Sequence, residues 1–300
     1  MGWTEAQLPD LSGRTAVVTG ANSGIGYYTA LALARRGCRV VLACRNTASG
    51  EDAARKIRAT VEVRELDLAS MGSVRAFAEQ WDGPLDLLVN NAGVMAPPKF
   101  TTTVDGYELQ FGTNHLGHFV LTGLLLSSLL SAAGGARVVT VSSTAHHPGT
   151  EDVLDGNTIE PYDRQKTYSN SKLANLLFAF ELQREASARG LPLVSAAAHP
   201  GVSATGLVID RQGLGASAVV RTFAPVFLRM FTQSAKAGAR ATLFAATEAE
   251  PGSYTGPTRF AESRGAIGVA NLSDLARDEK FARRLWQRSE ELTGLHFPWP

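Results

Sequence analysis

One rhythm constrains this chain more than any single motif: short apolar runs rich in Val and Leu alternate with longer helical patterns. The runs are "TAVVTG" from residue 15, "RVVLAC" from 39, "VEVREL" from 61, "LDLLVN" from 85, "ARVVTVSS" from 136 and "LPLVSAAAHP" from 191. Strands separated by helices pair in parallel through right-handed crossovers. Because the runs are apolar on both faces rather than alternating, they belong in a parallel sheet with helices on each side, a three-layer αβα arrangement. At 300 residues and 44% hydrophobic, the chain can bury a sizeable core, and neither an internal repeat nor a low-complexity linker divides it. The expectation is one domain over residues 1–300.

Charge excludes several roles. Basic residues number 29 and acidic residues 28, without a long run of either sign, so nucleic acid and anionic membranes are not expected partners. The start "MGWTEAQLPDLSGR" has neither the cationic opening nor the apolar middle of a signal peptide, and Cys38 and Cys44 form no disulfide framework or metal quartet; a cytosolic location is expected. The apolar segment 115–133 contains two His and several Ser and Thr and runs almost directly into a strand, which favours a buried helix over a transmembrane one.

The first strand runs into "TGANSGIGYYTALALARRG". Gly20 permits the tight turn, Gly24 lets the backbone approach a pyrophosphate, and Gly26 lets the helix pack on the strand. The first-turn N–H groups, with Asn22, Ser23 and Ile25 around them, then face the phosphates of a dinucleotide. Enzymes of this architecture that use NAD usually end the second strand with a carboxylate for the ribose 2′-OH. Here the strand ends in "LACRN": Cys44 stands at that position, and Arg45, followed by Asn46, offers a planar fork for a 2′-phosphate. NADP(H) is therefore expected over NAD(H), the alternative being a solvated turn role for Arg45.

Seven motifs follow one another in the order of a known family: "TGANSGIG", "LDL" with Asp67 and Leu68, "NNAG" with Asn91, Ala92 and Gly93, "NHLG" with Asn114, "VTVSS" with Ser142 and Ser143, "YSNSK" with Tyr168 and Lys172, and "HPGV" with Pro200, Gly201 and Val202. On these motifs the chain resembles the short-chain dehydrogenase/reductase family. "LACRN", "DGYELQFGTNHLGHFVLT", "SSTAHH" and "YSNSKLANLLF" resemble its retinol dehydrogenase-like branch. The resemblance implies a doubly wound Rossmann sheet of order 3-2-1-4-5-6-7. It also implies a cofactor-binding and catalytic core over 12–200, a substrate lid over 201–235 and a C-terminal helical segment over 271–295.

Tyr168 and Lys172 stand at i and i+4 and share a helix face. A cation beside a phenol favours phenolate, which would lower the phenol from its unperturbed ~10 toward working pH. By resemblance, Tyr168 exchanges a proton with the substrate oxygen and Lys172 bonds the nicotinamide ribose. Ser143, with Ser142 as the fallback, holds the substrate oxygen, and Asn114 supports a water linking Lys172 to solvent. Asp67, Leu68, Asn91, Ala92, Gly93, Pro200, Gly201, Val202 and Thr205 complete the implied cofactor site. The pairs His115–His118 and His146–His147 come without a metal-binding pattern and are taken as structural or pocket-lining.

The apolar second half of 207–231 suggests a lipophilic alcohol or carbonyl substrate, although it could equally cover the core or a partner subunit. The helices around 115–133 and "SKLANLLFAFEL" are apolar around much of their circumference; by resemblance they meet their copies in a possible homodimer. The expected activity is hydride transfer between a nicotinamide and an alcohol or carbonyl. The alternative is a catalytically silent, cofactor-binding regulatory or scaffold protein.

Overall fold

The computed structural model describes residues 2–158, 160–201 and 233–300. Each apolar run forms a strand: β1 Thr15–Thr19, β2 Arg39–Cys44, β3 Val61–Glu65, β4 Leu87–Asn90, β5 Ala136–Val141 and β6 Leu193–Ala198, followed by β7 Tyr254–Arg259 and β8 Arg264–Val269. They form one sheet of order β3-β2-β1-β4-β5-β6-β7-β8, which extends the expected order by one strand. All pairs through β7 are parallel, with Thr15 opposite Arg39 and Ala16 opposite Leu87. β8 runs antiparallel to β7, Thr255 opposite Val269. Sequence pattern passes over β8 because this edge strand is half-exposed and carries no continuous apolar run.

Helices cover both faces. On one lie α1 Gly24–Arg35, α2 Thr47–Ile57 and α8 Ala235–Thr247, packed over Val18, Leu42 and Val139. On the other lie α3 Met71–Glu79, α5 Gly117–Leu124, α6 Leu126–Leu130, α7 Arg164–Ala188 and α10 Glu279–Thr293, around Val17, Leu88 and Val138. The short helices α4 Leu109–Phe111 and α9 Asp274–Arg277 complete the set among the described residues. The segment 115–133, expected as one helix, is broken. A π-helical turn, Gly112–Leu116, leads into α5, and a second break at Leu125 separates α5 from α6. No helix among the described residues is long and apolar enough to cross a membrane.

α7 begins cleanly because the Asp163 carboxylate accepts from the amides of Gln165 and Lys166. Every residue from Thr167 to Leu182 is buried. A helix buried all round needs a cover on the side away from the sheet, and the chain supplies its own. Trp286 of α10 stacks on Phe178 of α7 at 5.9 Å, and Phe297 meets Phe119 of α5 at 4.9 Å and Trp286 at 4.4 Å between ring centres. Gly123 makes room for this tail, since a Cβ there would lie 2.7 Å from Leu295 Cδ2. The apolar excess behind the possible homodimer is thus met within the chain, by α10 and the residues after it.

Candidate active site

The turn after β1 is shaped for a dinucleotide. Gly20 and Gly24 have φ of 65° and 58°, in the left-handed region that favours glycine. A Cβ on Gly26 would lie 2.5 Å from the Gly20 carbonyl oxygen. Helices α2, α3, α7, α8 and α10 all begin with a side-chain cap, from Asn46, Ser70, Asp163, Ser234 and Asp278. α1 does not: Ser23 makes no capping bond, which leaves the first-turn amides at Gly24, Ile25 and Gly26 facing outward with a partial positive charge. Beside this turn Asn22 Nδ2 donates to Ser49 Oγ at 3.2 Å, and Asn46 caps α2. Cys44 is buried, its thiol pushed up to about 11 by burial despite bonds from the amides of Asn22 and Ala21, so it is neutral and faces the loop where a carboxylate would hold a ribose. Arg45 is exposed at the end of β2. An uncapped helix start over a glycine cradle fits the phosphates of the expected cofactor, and these residues would hold it.

"NNAG" closes the cradle from β4. The amides of Asn91 and Ala92 both donate to Thr19 Oγ1 at 2.9 Å, and Asn91 Nδ2 donates to the Thr19 carbonyl at 2.7 Å. Gly93 lies between Asn114 and Lys172: a Cβ there would stand 3.0 Å from Asn114 Oδ1 and 3.6 Å from Lys172 Nζ. Asp67 Oδ1 accepts from the Ala69 amide at 2.9 Å and Leu68 is buried, its carbonyl 2.5 Å from where a Gly117 Cβ would be. Gly201 has a φ of 67° and donates its amide to His199 Nδ1 at 3.2 Å, while the Pro200 carbonyl accepts from Gln233 Nε2. Val202 and Thr205 lie outside the described residues, as does the segment 207–231.

The structure brings Asn114, Ser143, Tyr168 and Lys172 together and separates the two serines. β5 ends in extended backbone, where neighbouring side chains point opposite ways. Ser142 Oγ donates to the Lys172 carbonyl at 2.8 Å and so serves to fasten α7 to the sheet. Ser143, extended at φ −157°, accepts from the Ala145 amide at 3.1 Å and reaches the Tyr168 phenol. Lys172 Nζ sits 5.7 Å from the centre of the Tyr168 ring and donates to the Val141 carbonyl at 3.3 Å.

The electrostatics correct one expectation. Burial pushes the Tyr168 phenol up to about 12, only partly offset by the Ser143 bond, and burial pulls Lys172 down to about 8. Desolvation outweighs the attraction between the pair because both side chains are almost wholly removed from water. Near neutral pH the phenol is protonated, ready to donate.

Asn114 is fully buried in the π-helical turn. Its Oδ1 accepts from the Val94 amide at 2.8 Å, and its Nδ2 donates to the Val94 carbonyl at 3.0 Å and to Ser171 Oγ at 2.9 Å. Both polar atoms of the side chain are engaged, and the main-chain carbonyl is a further acceptor in this turn.

Motif reading missed how the buried histidines serve this site. His118 Nε2 lies 2.9 Å from Thr19 Oγ1 and Nδ1 lies 3.0 Å from the Asn114 carbonyl. His146 Nδ1 lies 2.8 Å from the Ser143 carbonyl while Nε2 accepts from the Ser273 amide at 3.2 Å. The spacing of "HLGH" was the available signal; their partners, up to 127 residues away, were not visible in it. Among the described residues no group of three His, Cys, Asp or Glu side chains is placed to hold a metal.

A glycine cradle beside a Ser–Tyr–Lys cluster on a doubly wound parallel sheet is the arrangement of an oxidoreductase of this class. Residues 14–212 match the short chain dehydrogenase family, and the chain belongs to it. It is 42% identical to human retinol dehydrogenase 12, over 98% of this chain and 90% of that protein. It is 41% identical to mouse polyprenol dehydrogenase, over 96% and 86%. A crystal structure of a protein from Mycobacterium paratuberculosis is 46% identical and superposes with a TM-score of 0.83 over 100% of both chains.

Proposed function

We propose that the protein is an NADP-preferring oxidoreductase that interconverts the alcohol and carbonyl forms of a lipophilic small molecule. The meeting of Ser143 with the Tyr168 phenol, with Lys172 beside the ring, supports the reaction most directly. NADP(H), when bound, gives or takes the hydride. The chain does the rest. The Ser143 hydroxyl orients the substrate oxygen. Tyr168, protonated near neutral pH, donates its proton as a carbonyl oxygen gains charge, and takes one up in the reverse direction. Lys172, pulled down to about 8 by burial and 5.7 Å from the Tyr168 ring, is the cation that resupplies the phenol's proton.

The NADP preference rests on the neutral Cys44, which does not repel a phosphate, and on the exposed Arg45 beside it. The lipophilic substrate is supported by the apolar character of 207–231 and by relatives whose names specify retinol and polyprenol, both apolar alcohols.

The paired test is kcat/KM for NADPH and NADH in wild type, Arg45→Ala and Cys44→Asp, with long-chain and short polar aldehydes as substrates. A charge-assisted bond to phosphate contributes roughly 1.5 to 3 kcal/mol, so Arg45→Ala should cost on the order of tenfold to a hundredfold with NADPH and little with NADH. Cys44→Asp should go further and favour NADH. A wild type that prefers NADH, or that turns over only polar aldehydes, overturns the corresponding half of the reading.

A further inference from the structure

His118 is fully buried behind the cofactor loop and touches neither end of the reaction. Its hydrogen bonds nonetheless admit one protonation pattern. The Asn114 carbonyl can only accept, so the ring nitrogen facing it, Nδ1, carries the proton. Burial and the nearby Lys172 pull the imidazole down to about 4, against a bond to Asn114 that raises it, so the ring is neutral and Nε2 is a bare acceptor. The Thr19 hydroxyl has two acceptors in reach, Nε2 at 2.9 Å and the Val89 carbonyl at 3.3 Å, and its proton goes to the nearer, Nε2. That leaves the two lone pairs of Thr19 Oγ1 for the two amides pointing at it, those of Asn91 and Ala92, both at 2.9 Å. The chain Asn91/Ala92–Thr19–His118–Asn114 is thus continuous, and Thr19, His118 and Asn114 are buried.

We propose that His118 is a positioning residue for the proposed hydride-transfer reaction: it locks the Asn114 carbonyl, and with it the π-helical turn next to Lys172, onto the loop that carries the cofactor. This rests on the reading of the site as a dehydrogenase. Both polar atoms of the Asn114 side chain are held by Val94 and Ser171, and the main-chain carbonyl is a further acceptor this turn can offer to a proton path; His118 occupies one of its lone pairs and so sets the direction of the other. The same imidazole grips Thr19 beneath the cofactor cradle, so a displacement of the cradle moves the turn with it.

His115, one turn earlier, is the control. It is equally buried, but its Nε2 bonds Ser289 Oγ at 2.8 Å on α10, on the side away from the cofactor loop.

The test has one arm that needs no activity. In a spectrum of protein labelled with ¹⁵N-histidine, His118 should give a protonated Nδ1 and an unprotonated Nε2 near neutral pH; the opposite tautomer overturns the proposal. The second arm compares His118→Phe, His118→Asn and His115→Phe for kcat, NADPH affinity by nicotinamide fluorescence, and thermal midpoint. Phe keeps the volume and loses both bonds, so kcat should fall roughly tenfold to a hundredfold and NADPH affinity should weaken. Asn keeps an N–H near the position of Nδ1 but is too short for Thr19, so kcat should return to within a few-fold of wild type while the affinity loss remains. His115→Phe should lower the thermal midpoint and leave kcat and affinity in place. A His118→Phe enzyme with wild-type kcat, or an Asn variant no better than Phe, overturns the proposal. A wild type that binds no NADPH overturns the dehydrogenase reading instead, and the tautomer still decides the hydrogen-bond chain.

Discussion

Residues 15–201 and residues 233–300 contribute in different ways to the same site. The first stretch carries the expected catalytic residues and the cradle. The second holds none of the four, yet it meets three of the buried histidines of the first. Ser289 bonds His115, the Ser273 amide bonds His146, and Glu262 lies 3.5 Å from His199. Only His118 has both partners inside the first stretch, Thr19 and Asn114. The C-terminal part therefore works as a brace: it fixes the backbone around Ser143 through His146 and closes the apolar face of α5 and α7 with Trp286 and Phe297, without entering the chemistry.

That division can be broken most severely at the phenol. Tyr168→Phe should lower kcat by on the order of a hundredfold to ten-thousandfold, the usual contribution of a positioned acid, with NADPH affinity within a few-fold of wild type. Steady-state kinetics and cofactor titration decide it, and a variant that keeps its turnover removes the proton path altogether.

The brace should fail differently. Trp286 is buried against Phe119, Phe178 and Phe297, so Trp286→Ala should destabilise the fold by roughly 3–5 kcal/mol. Turnover per folded molecule should hold. Uncovering α5 and α7 should also promote self-association, visible by light scattering, whereas an unchanged denaturation midpoint would show that the aromatic cover contributes little.

The histidines link the two regions to pH. Burial pulls His115 to about 3 and His146 and His199 to about 4, against 6.5 for the free side chain. The unfolded chain thus takes up protons at these sites before the folded one does. Stability present above pH 6.5 should be lost as pH falls toward about 4. Chemical denaturation across this range should show a midpoint that drops with pH, and replacing His146 by Gln should flatten the slope.

The smallest effect expected is at the Ser289–His115 contact. Ser289→Ala removes two neutral buried hydrogen bonds, one from His115 Nε2 and one to the Leu285 carbonyl, at a cost of about 1–3 kcal/mol, and should leave kcat and its pH dependence unchanged. A kcat defect there would carry the brace into the reaction and erase the contrast with His118.

Much of the first region was visible in the order of residues. Central strands buried on both faces have to be apolar along their length, so β1, β2, β4, β5 and β6 announce themselves, whereas β8, half-exposed at an edge, is free of that demand. A glycine that must adopt positive φ, as at Gly20 and Gly24, leaves a mark that no other residue replaces. Tyr168 and Lys172 are one turn apart on α7, so helix geometry alone puts them on one face.

What the chain order determined was therefore the local part: the strands and their crossovers, the glycine-rich turn into α1, the Tyr–Lys pair, and a cysteine in place of a carboxylate with an arginine after it at the end of β2. Tertiary structure alone decided which serine meets the phenol, because that depends on the direction in which β5 ends. It also decided that Asn114 spends its side chain on Val94 and Ser171, and that the phenol lies above its ordinary range, because desolvation is set by everything packed around a group and not by its neighbour in sequence. The cover over α5 and α7 is of the same kind: an apolar helix face announces that it will be buried, but whether a second copy or the chain's own C-terminus buries it depends on where residues 279–299 return in space.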